Sequence, residues 1–270
     1  MAEPLAALRL YRRLVGAQIR SQLQYRVSFA LELVGMFLFS FVDLVAILVI
    51  FHNVEGLGGW SVAEVAFLYA TAMLAFAFTD MVIGHLDLFP EAIRSGAFDL
   101  VLVRPRGTLF QVIASDFHLR RLGKALQAAI VLVYALTSLD IDWTAGRVAM
   151  LPVAIVAGSV IYGAVWVAAI CIVFWSVEGR ETANAFTYGG SFLAQYPINV
   201  YASWLRRFLA YVIPAAFVAY LPSLYLLDKE DPLGLPAVLQ FASPVVALVA
   251  AVVAGLVWRF AVRHYRSTGS

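Results

Sequence analysis

Long apolar runs separated by short polar stretches dominate this chain and predict its fold class. A helix needs about 20 apolar residues to cross the hydrocarbon core of a bilayer. Six apolar runs approach this length. The third, at residues 122–139, is short, and an alternative start for it lies near Phe110. The pattern predicts an all-α integral membrane protein, a single transmembrane domain over residues 1–270 with six transmembrane helices. The six runs cover residues 27–51, 62–83, 122–139, 148–175, 183–200 and 237–262.

The amino-acid composition supports this class and argues against others. Of 270 residues, 63% are hydrophobic and 13% are charged, and the mean hydropathy is +0.86. A typical soluble domain is only about 45–50% apolar. The one cysteine, Cys171, lies in an apolar run, so neither an intrachain disulfide framework nor a cluster of thiol metal ligands is expected. The net charge of +2 is too small to suggest a nucleic-acid partner.

The distribution of lysine and arginine predicts the orientation in the membrane. Six spans place both termini on the same side. Fifteen of the 19 basic residues then lie on that side, and four lie on the other. Cytoplasmic segments carry the excess of basic residues. We therefore expect a multi-pass protein of the cytoplasmic (inner) membrane with both termini in the cytoplasm. The four basic residues outside would be Arg147, Arg206, Arg207 and Lys229.

Residues 1–26 have the pattern of an amphipathic helix that lies on the inner membrane surface. Apolar residues recur at three- and four-residue spacing on one face, and arginines occupy another. An alternative is a basic flank that only orients the first span. The apolar face consists of Leu8, Tyr11, Val15 and Ile19, and the basic one of Arg9, Arg13 and Arg20.

Residues 84–121 form a charged loop between the second and third spans that is longer than a plain connector needs to be. Its sequence "GHLDLFPEAIRSGAFDLVLVRPRG" predicts a short helix after Pro90, a break at Gly96 and an end at "RPRG". Apolar residues would face the bundle or a partner, and charged residues would remain outside. A solvated connector is the alternative interpretation. The apolar set is Leu88, Ala92, Ile93 and Phe98, and the charged set is Glu91, Arg94 and Asp99.

Two stretches resemble a known family. The loop "IRSGAFDLVLVRP" and the late stretch "YPINVYASWLRRFLAYVIPAAFVAYLPSLYLL", with the N-terminal arm and six spans, are similar to the membrane-spanning permease subunits of type-2 ABC exporters. In that family the loop holds a coupling helix that docks on a cytoplasmic ATPase subunit dimer, and two permease chains assemble. The resemblance implies an identical or similar second chain. It also implies an ATPase contact formed by Glu91, Ile93, Arg94, Phe98, Asp99, Arg104 and Pro105.

The external stretch 195–236 is too long for a connector and too apolar for a soluble loop. Its prolines would divide it into short pieces, as in the re-entrant half-helices of the resembled family. Its aromatic residues and paired arginines suggest a gate that releases substrate, and a belt of interfacial anchors is an equally weighted alternative. The gate candidates are Tyr196, Pro197, Trp204, Arg206, Arg207 and Pro214.

Three acidic residues lie within the predicted spans, where charge is costly. Glu32 and Asp43 are eleven residues apart, which places them on one helix face about 16 Å apart along the axis. Asp80 lies near the inner end of the second span. The three could line a translocation path, but pairing with a basic residue such as Arg26 or Arg94 is favoured for those near the interface. Asp43 is the deepest and the better candidate for a path.

The sequence does not favour catalysis by this chain. A phosphate-binding loop needs a glycine-rich turn that ends in Lys followed by Ser or Thr. The two lysines, Lys124 and Lys229, are followed by Ala and Glu. We expect no catalytic residue, no metal site and no cofactor in this chain, with ATP and Mg²⁺ bound by the partner subunit. The best constellation for an enzyme is His85, Asp87 and Glu91.

The expected function is that of a permease subunit of an ATP-driven exporter. The aromatic outer segment and the lack of a soluble substrate-capturing domain favour an amphipathic or lipid-like compound that moves outward. A secondary transporter is the second hypothesis, although matching interrupted spans in two halves of the chain are not apparent. A polytopic membrane enzyme is the third. The lipid bilayer and a hydrophobic or amphipathic substrate complete the expected partners.

Overall fold

The computed structural model describes residues 2–54, 56–176 and 179–266. These residues are mostly helical, and the one β-type contact among them is an isolated bridge between Leu57 and Trp60. In chain order the helices are α1 (Ala2–Gln24), α2 (Arg26–Asn53), α3 (Val62–Ile83), α4 (Phe89–Arg94), α5 (Asp99–Leu102), α6 (Thr108–Ile113), α7 (Leu122–Ser138), α8 (Ala145–Ile170), α9 (Arg180–Asn184), α10 (Gly190–Leu193), α11 (Ser203–Tyr211), α12 (Tyr220–Leu226) and α13 (Ser243–His264).

Four helical stretches in the described part of the chain are long and apolar enough to cross a bilayer. They are Arg26–Val49, Val62–Arg94, Ala145–Phe174 and Ser243–His264. These correspond to the predicted first, second, fourth and sixth spans. The all-helical membrane class is therefore confirmed, but six continuous spanning helices are not.

The predicted third and fifth spans differ from the expectation in length and continuity. The third corresponds to α7, which has 17 residues. The fifth, predicted over 183–200, is divided into α9, a π-helical turn at Ala185–Gly189, and α10, which ends at Leu193. A π turn and paired glycines interrupt the regular hydrogen-bond ladder, and hydropathy does not report such interruptions.

The stretch 195–236, called the outer segment after its expected position, contains the short helices expected there. The helix α11 and the helical stretch Ala215–Leu226 meet at an angle of 72°. Pro214 lies at the break and cannot donate a backbone hydrogen bond. A bend of this size is typical of a broken span or a re-entrant hairpin.

The helix α3 is the centre of the bundle. Sixteen of its 22 residues are buried, and they occur on every face of the helix. Its main packing partners are α7 and α8. The helix α13 packs on α8, and α2 packs on α7. In α2 the buried side chains among those described are Ser40 and Ile47. Its large apolar residues therefore face lipid or another protein chain.

A glycine sets the distance between α2 and α7. A Cβ atom at Gly123 would overlap the carbonyl oxygen of Leu33 and would lie 2.9 Å from the backbone nitrogen of Phe37. Only glycine lets the two backbones approach this closely. The start of α7, with Arg120 and Arg121 just before it and Lys124 in its first turn, is thereby held against α2.

Candidate functional site

The loop between α3 and α7 contains two short helices that meet at a glycine. The backbone N–H of Ser95 donates to the carbonyl of Glu91 at 2.9 Å and closes α4. Gly96 follows with a φ of 71°, a left-handed conformation that ends many helices and favours glycine. The break lies at the predicted residue. The chain then turns, and the N–H of Phe98 donates to the carbonyl of Ala92 at 3.1 Å.

Phe98 is the centre of a buried aromatic cluster. Its side chain is 1% exposed. Its ring centroid lies 5.4 Å from that of Phe89, 5.5 Å from Phe174 and 5.1 Å from Tyr265, all edge to face. Phe89 and Phe174 both also contact Trp258 of α13. We call Phe89, Phe98, Phe174, Trp258 and Tyr265 the aromatic cluster; it joins the loop to the turn after α8 and to the C-terminal end of α13.

The burial of Phe98 and Ile93 corrects the expectation that they contact an ATPase subunit. Ile93 is 3% exposed, so both side chains are core residues of this chain and offer almost no surface to a partner. Phe98 is buried because the rings of Phe174, just after α8, and Trp258 of α13 cover it, and both lie more than 70 residues away in sequence. The sequence pattern allowed either the bundle or a partner, and the structure selects the bundle.

The outer surface of the loop has a different set of residues. Leu100 is 63% and Val103 is 80% exposed, three residues apart at α5. Exposed charges occur in the same loop: Glu91 and Arg94 form a pair at 3.6 Å, and Arg104 is exposed as well. Pro105 is also exposed, and Asp99 is half-buried. We call Leu100 and Val103 with these charged neighbours the loop surface.

Hydrogen bonds hold the second half of the loop, residues 108–119, against α13 and α1. The indole N–H of Trp258 donates to Thr108 Oγ1 at 3.0 Å. The amide of Gln18 on α1 donates to the carbonyl of Ser115 at 2.9 Å. The amide of Gln22 contacts the carbonyl of Phe117 and accepts from the N–H of Leu119 at 3.1 Å. The N-terminal helix is thus joined directly to the loop, a contact that the sequence did not indicate.

A buried charge cluster lies where α3 meets the start of α7. Asp80 is fully buried; its carboxylate lies 3.1 Å from Lys124 Nζ and 3.4 Å from Arg121 Nε. Glu32 of α2 pairs with Arg120 at 3.0 Å at the more exposed edge. The prediction that Glu32 and Asp80 pair with basic residues is confirmed. The suggested partners, Arg26 and Arg94, were wrong, because the cations are Arg120 and Arg121 just before α7 and Lys124 in its first turn.

A second contact joins the loop to the fifth segment. The hydroxyl of Tyr188 donates to the Asp87 carboxylate at 2.6 Å. The Tyr188 ring lies 5.5 Å from Phe76 and 5.3 Å from Trp166. Sequence reasoning missed Tyr188, because nothing local distinguishes it from the other tyrosines. It links the turn after α3 to the π-helical turn.

Asp43 lies apart from these pairs and lines a cavity of about 370 Å³. No ion pair or side-chain hydrogen bond of Asp43 occurs among residues 2–54, 56–176 and 179–266. The cavity lies between α2, α3, the start of α7 and α10. Its walls include Phe39, Phe76 and Phe192 as well as Lys124, Ser191 and Gln195.

The gate candidates of the outer segment fall into two groups. Tyr196 and Pro197 are buried, and the Tyr196 ring packs 5.7 Å from Phe192. On α11, Trp204 is 69% exposed, and Arg207 lies on the same exposed face. Arg206 and Pro214 are half-buried.

Two ion pairs join the outer segment to the first turns of α3 and α8. Lys229 Nζ lies 2.9 Å from Glu64 at the start of α3 and 5.1 Å from the centre of the Trp60 ring. Arg147 of α8 pairs with Asp228 at 2.9 Å. Beneath α11 lies a largely apolar cavity of about 560 Å³ between α8, α9 and α13.

The residues of the enzyme hypothesis have structural contacts. His85 Nε2 lies 2.7 Å from the carbonyl of Val112, and Asp87 accepts from Tyr188. Glu91 points away to pair with Arg94. No group of three or more His, Cys, Asp or Glu side chains in the described part of the chain is placed to hold a metal ion.

Comparison with known proteins identifies the family. A family model described as "ABC-2 family transporter protein" matches residues 37–269, which is most of the chain. No curated protein and no solved structure matches the chain. The matched region includes α3 to α13 with the loop, the charge cluster and the outer segment. An ABC-2 permease is the transport component of its complex and works with an ABC ATPase subunit. The chain belongs to the ABC-2 transporter family, as a multi-pass membrane permease subunit of the type-2 ABC class.

Proposed function

We propose that this permease subunit exports an amphipathic or lipid-like compound across the cytoplasmic membrane, driven by ATP hydrolysis in a separate ATPase subunit dimer that binds ATP and Mg²⁺. A second permease chain, identical or similar, completes the transporter, and both termini lie in the cytoplasm. The observation that carries the proposal is the loop: it is fixed to the spans through the aromatic cluster and presents an exposed surface of its own.

The loop is suited to transmit movement from a partner to the membrane helices. Phe98 packs against rings from α8 and α13, and Asp87 is hydrogen-bonded to Tyr188 in the fifth segment. A displacement of α4 and α5 therefore displaces the inner ends of three separate segments, because close-packed cores transmit strain.

The loop surface has the composition of a protein contact. Interfaces have an apolar centre and a polar rim, and Leu100 with Val103 would form that centre. Glu91, Arg94 and Arg104 would form the rim. Single exposed ion pairs contribute only about 0–1 kcal/mol, so the apolar pair should contribute most of the affinity. In this proposal Leu100 and Val103 replace Ile93 and Phe98 at the centre of the ATPase contact.

Export of an amphipathic compound is supported by the membrane-facing features. The cavity beneath α11 is lined almost entirely by apolar side chains, whereas the Asp43 cavity combines aromatic rings with charge. A compound with an apolar body and a polar group matches this pair of environments. The bent pair of outer helices, held by ion pairs at its rim, would be the part that opens.

The test is a double substitution on the loop surface, Leu100→Ser with Val103→Ser, in the complex purified from native membrane. We expect loss of stoichiometric ATPase subunit and of ATP hydrolysis, with normal amounts of permease. The matched control is Leu8→Ser with Leu23→Ser, which removes exposed leucines from α1 (55% and 42% exposed) and should leave the ATPase subunit bound.

Two outcomes would contradict the proposal. If the loop-surface variant retains the ATPase subunit and ATP-dependent transport in vesicles, the loop is only a connector. If transport in vesicles follows an ion gradient and needs no ATP, the protein is a secondary transporter instead.

A further inference from the structure

The Asp43 cavity contains a carboxylate that forms no ion pair within 4 Å with another residue in the described part of the chain, although the Lys124 ammonium lines the same cavity. Asp43 is half-buried on α2 and has no ion-pair partner among the described residues. Glu32, on the same helix, is paired with Arg120, and Asp80 is paired with two cations. An acidic side chain in a span without a partner is costly, and such residues commonly mark a ligand or ion pathway.

Four side chains around the cavity donate hydrogen bonds to groups of the chain itself. Lys124 Nζ donates to Asp80 at 3.1 Å, and the Tyr188 hydroxyl donates to Asp87. The hydroxyl of Ser191 donates to the carbonyl of Tyr188 at 2.8 Å. Ser40 donates in the same way to carbonyls of its own helix. Apart from the remaining N–H groups of Lys124 and the amide of Gln195, the polar groups left for a ligand are acceptors, and the strongest of them is the carboxylate of Asp43.

Aromatic rings supply the remaining wall. Phe39, Phe76 and Phe192 come from three different segments and line the same cavity. The ammonium of Lys124 already lies 5.8 Å from the centre of the Phe76 ring, which is within the range of a cation–π contact. Rings beside a carboxylate attract organic cations, since ring faces and carboxylate both favour positive charge.

We propose that the Asp43 cavity binds an organic cation with an apolar body, such as a lipophilic amine or a quaternary onium ion. Asp43 provides the counter-charge, and Phe39, Phe76 and Phe192 contact the apolar groups. The inference rests on the proposed function in that it assigns this cation as the exported class. An anion of the same shape is disfavoured, because Lys124 is occupied by Asp80 and Asp43 would repel it.

The test uses two ions of nearly the same shape and opposite charge, tetraphenylphosphonium and tetraphenylborate. Equilibrium binding of each is measured to the purified complex in lipid nanodiscs, with empty nanodiscs as the blank for partition into lipid. We expect saturable binding of tetraphenylphosphonium and none of tetraphenylborate. Asp43→Asn should raise the Kd for tetraphenylphosphonium by about tenfold or more, since loss of a buried charge partner is costly.

Three further variants separate an effect on binding from an effect on folding. Glu32→Gln neutralises another carboxylate of α2 and should leave the Kd unchanged, and Asp43→Glu should restore most of the affinity. Phe39→Leu keeps the apolar volume but removes a ring, and should weaken tetraphenylphosphonium binding a few-fold. Each variant is compared only if its elution profile and melting temperature match those of the wild type.

The inference is overturned if tetraphenylphosphonium does not bind saturably, if Asp43→Asn binds it with the wild-type Kd, or if tetraphenylborate binds equally well. These outcomes are distinct from failure of the proposed function. Asp43-dependent binding in a complex without ATP-driven transport would contradict only the proposed function, and ATP-driven transport without such binding would contradict only this inference.

Discussion

The inner loop and the outer segment use aromatic residues in opposite ways. In the loop, Phe98 is 1% exposed and lies within the aromatic cluster. In the outer segment, Trp204 is 69% and Tyr211 is 85% exposed on α11. The rings of the aromatic cluster hold helices together, whereas the two exposed rings of α11 are available to lipid, a second chain or a substrate. The same side-chain chemistry therefore gives a rigid joint at one end of the molecule and an open surface at the other.

The ion pairs of the two regions also differ in solvent exposure, and those of the outer segment are the more exposed. Asp80 is fully buried between two cations. The outer pairs are more accessible: the side chains of Lys229 and Glu64 are 21% and 18% exposed, and that of Asp228 is 80% exposed. A pair near water has an alternative partner when it separates, but a buried charge does not. The inner region should therefore resist separation, and the outer region should permit it.

The largest expected effect is at the inner charge cluster. Asp80→Ala would leave the largely buried cations of Lys124 and Arg121 without their ion-pair partner, and should lower the free energy of unfolding by about 3–5 kcal/mol. The measurement is the melting temperature of the purified permease in detergent. The control is Glu64→Ala in the outer pair, which should cost clearly less. Equal losses for the two variants would remove the distinction between the regions.

A similar loss is expected when the aromatic cluster is opened. Phe98→Ala should lower the free energy of unfolding by about 3–5 kcal/mol, because it creates a cavity among three neighbouring rings. Tyr211→Ala, on the exposed face of α11, should change it by no more than about 0.5 kcal/mol. Thermal unfolding followed by intrinsic fluorescence would measure both. A stable Phe98→Ala variant that fails to bind the ATPase subunit would instead indicate that Phe98 contributes directly to the ATPase contact.

A smaller and more local loss of stability is expected when the ion pair between Lys229 and Glu64 is removed. Lys229→Met removes the hydrogen bond to Glu64 and should cost about 1–3 kcal/mol. The loss should be confined to the outer segment. Hydrogen exchange followed by mass spectrometry should show faster exchange in residues 203–234 and unchanged exchange in residues 89–113. Faster exchange in both stretches would mean that the two regions unfold together.

The smallest effect is a pH dependence at the end of the loop. Burial lowers the pKa of His118 below its usual 6.5, although the Asp116 carboxylate opposes the change. The neutral form is therefore favoured in the folded state. The stability that this preference contributes is present above pH 6.5 and is lost as the pH falls through the lowered pKa. The melting temperature should fall between pH 7 and pH 5, and His118→Gln should reduce that fall. An identical fall in the variant would assign it to other groups.

Much of the fold could be predicted because membrane spans leave a strong signal in one dimension. Four predicted spans match long apolar helices, and Gly96 marks a break because its φ of 71° favours glycine. The interrupted fifth segment was not predicted. A π-helical turn at Ala185–Gly189 changes hydrogen bonding without any change in hydropathy.

The candidate site was predicted only in part. Sequence position showed that Glu32 and Asp80 needed cations, but Arg120, Arg121 and Lys124 were identified as those cations only when α7 was seen to pack on α2 and α3. Gly123, which permits that packing, had no local signal.

The sequence by itself determined the environment of this protein, its helical class and its family, because hydropathy, basic-residue placement and the two motif stretches are local properties. The tertiary structure decided which residues are available for function. Burial depends on neighbours distant in the chain: rings from α8 and α13 cover Phe98 and leave Leu100 and Val103 exposed. The same packing pairs Asp80 and leaves Asp43 facing a cavity, since an acid in a span is neutralised only where another helix brings a cation within reach.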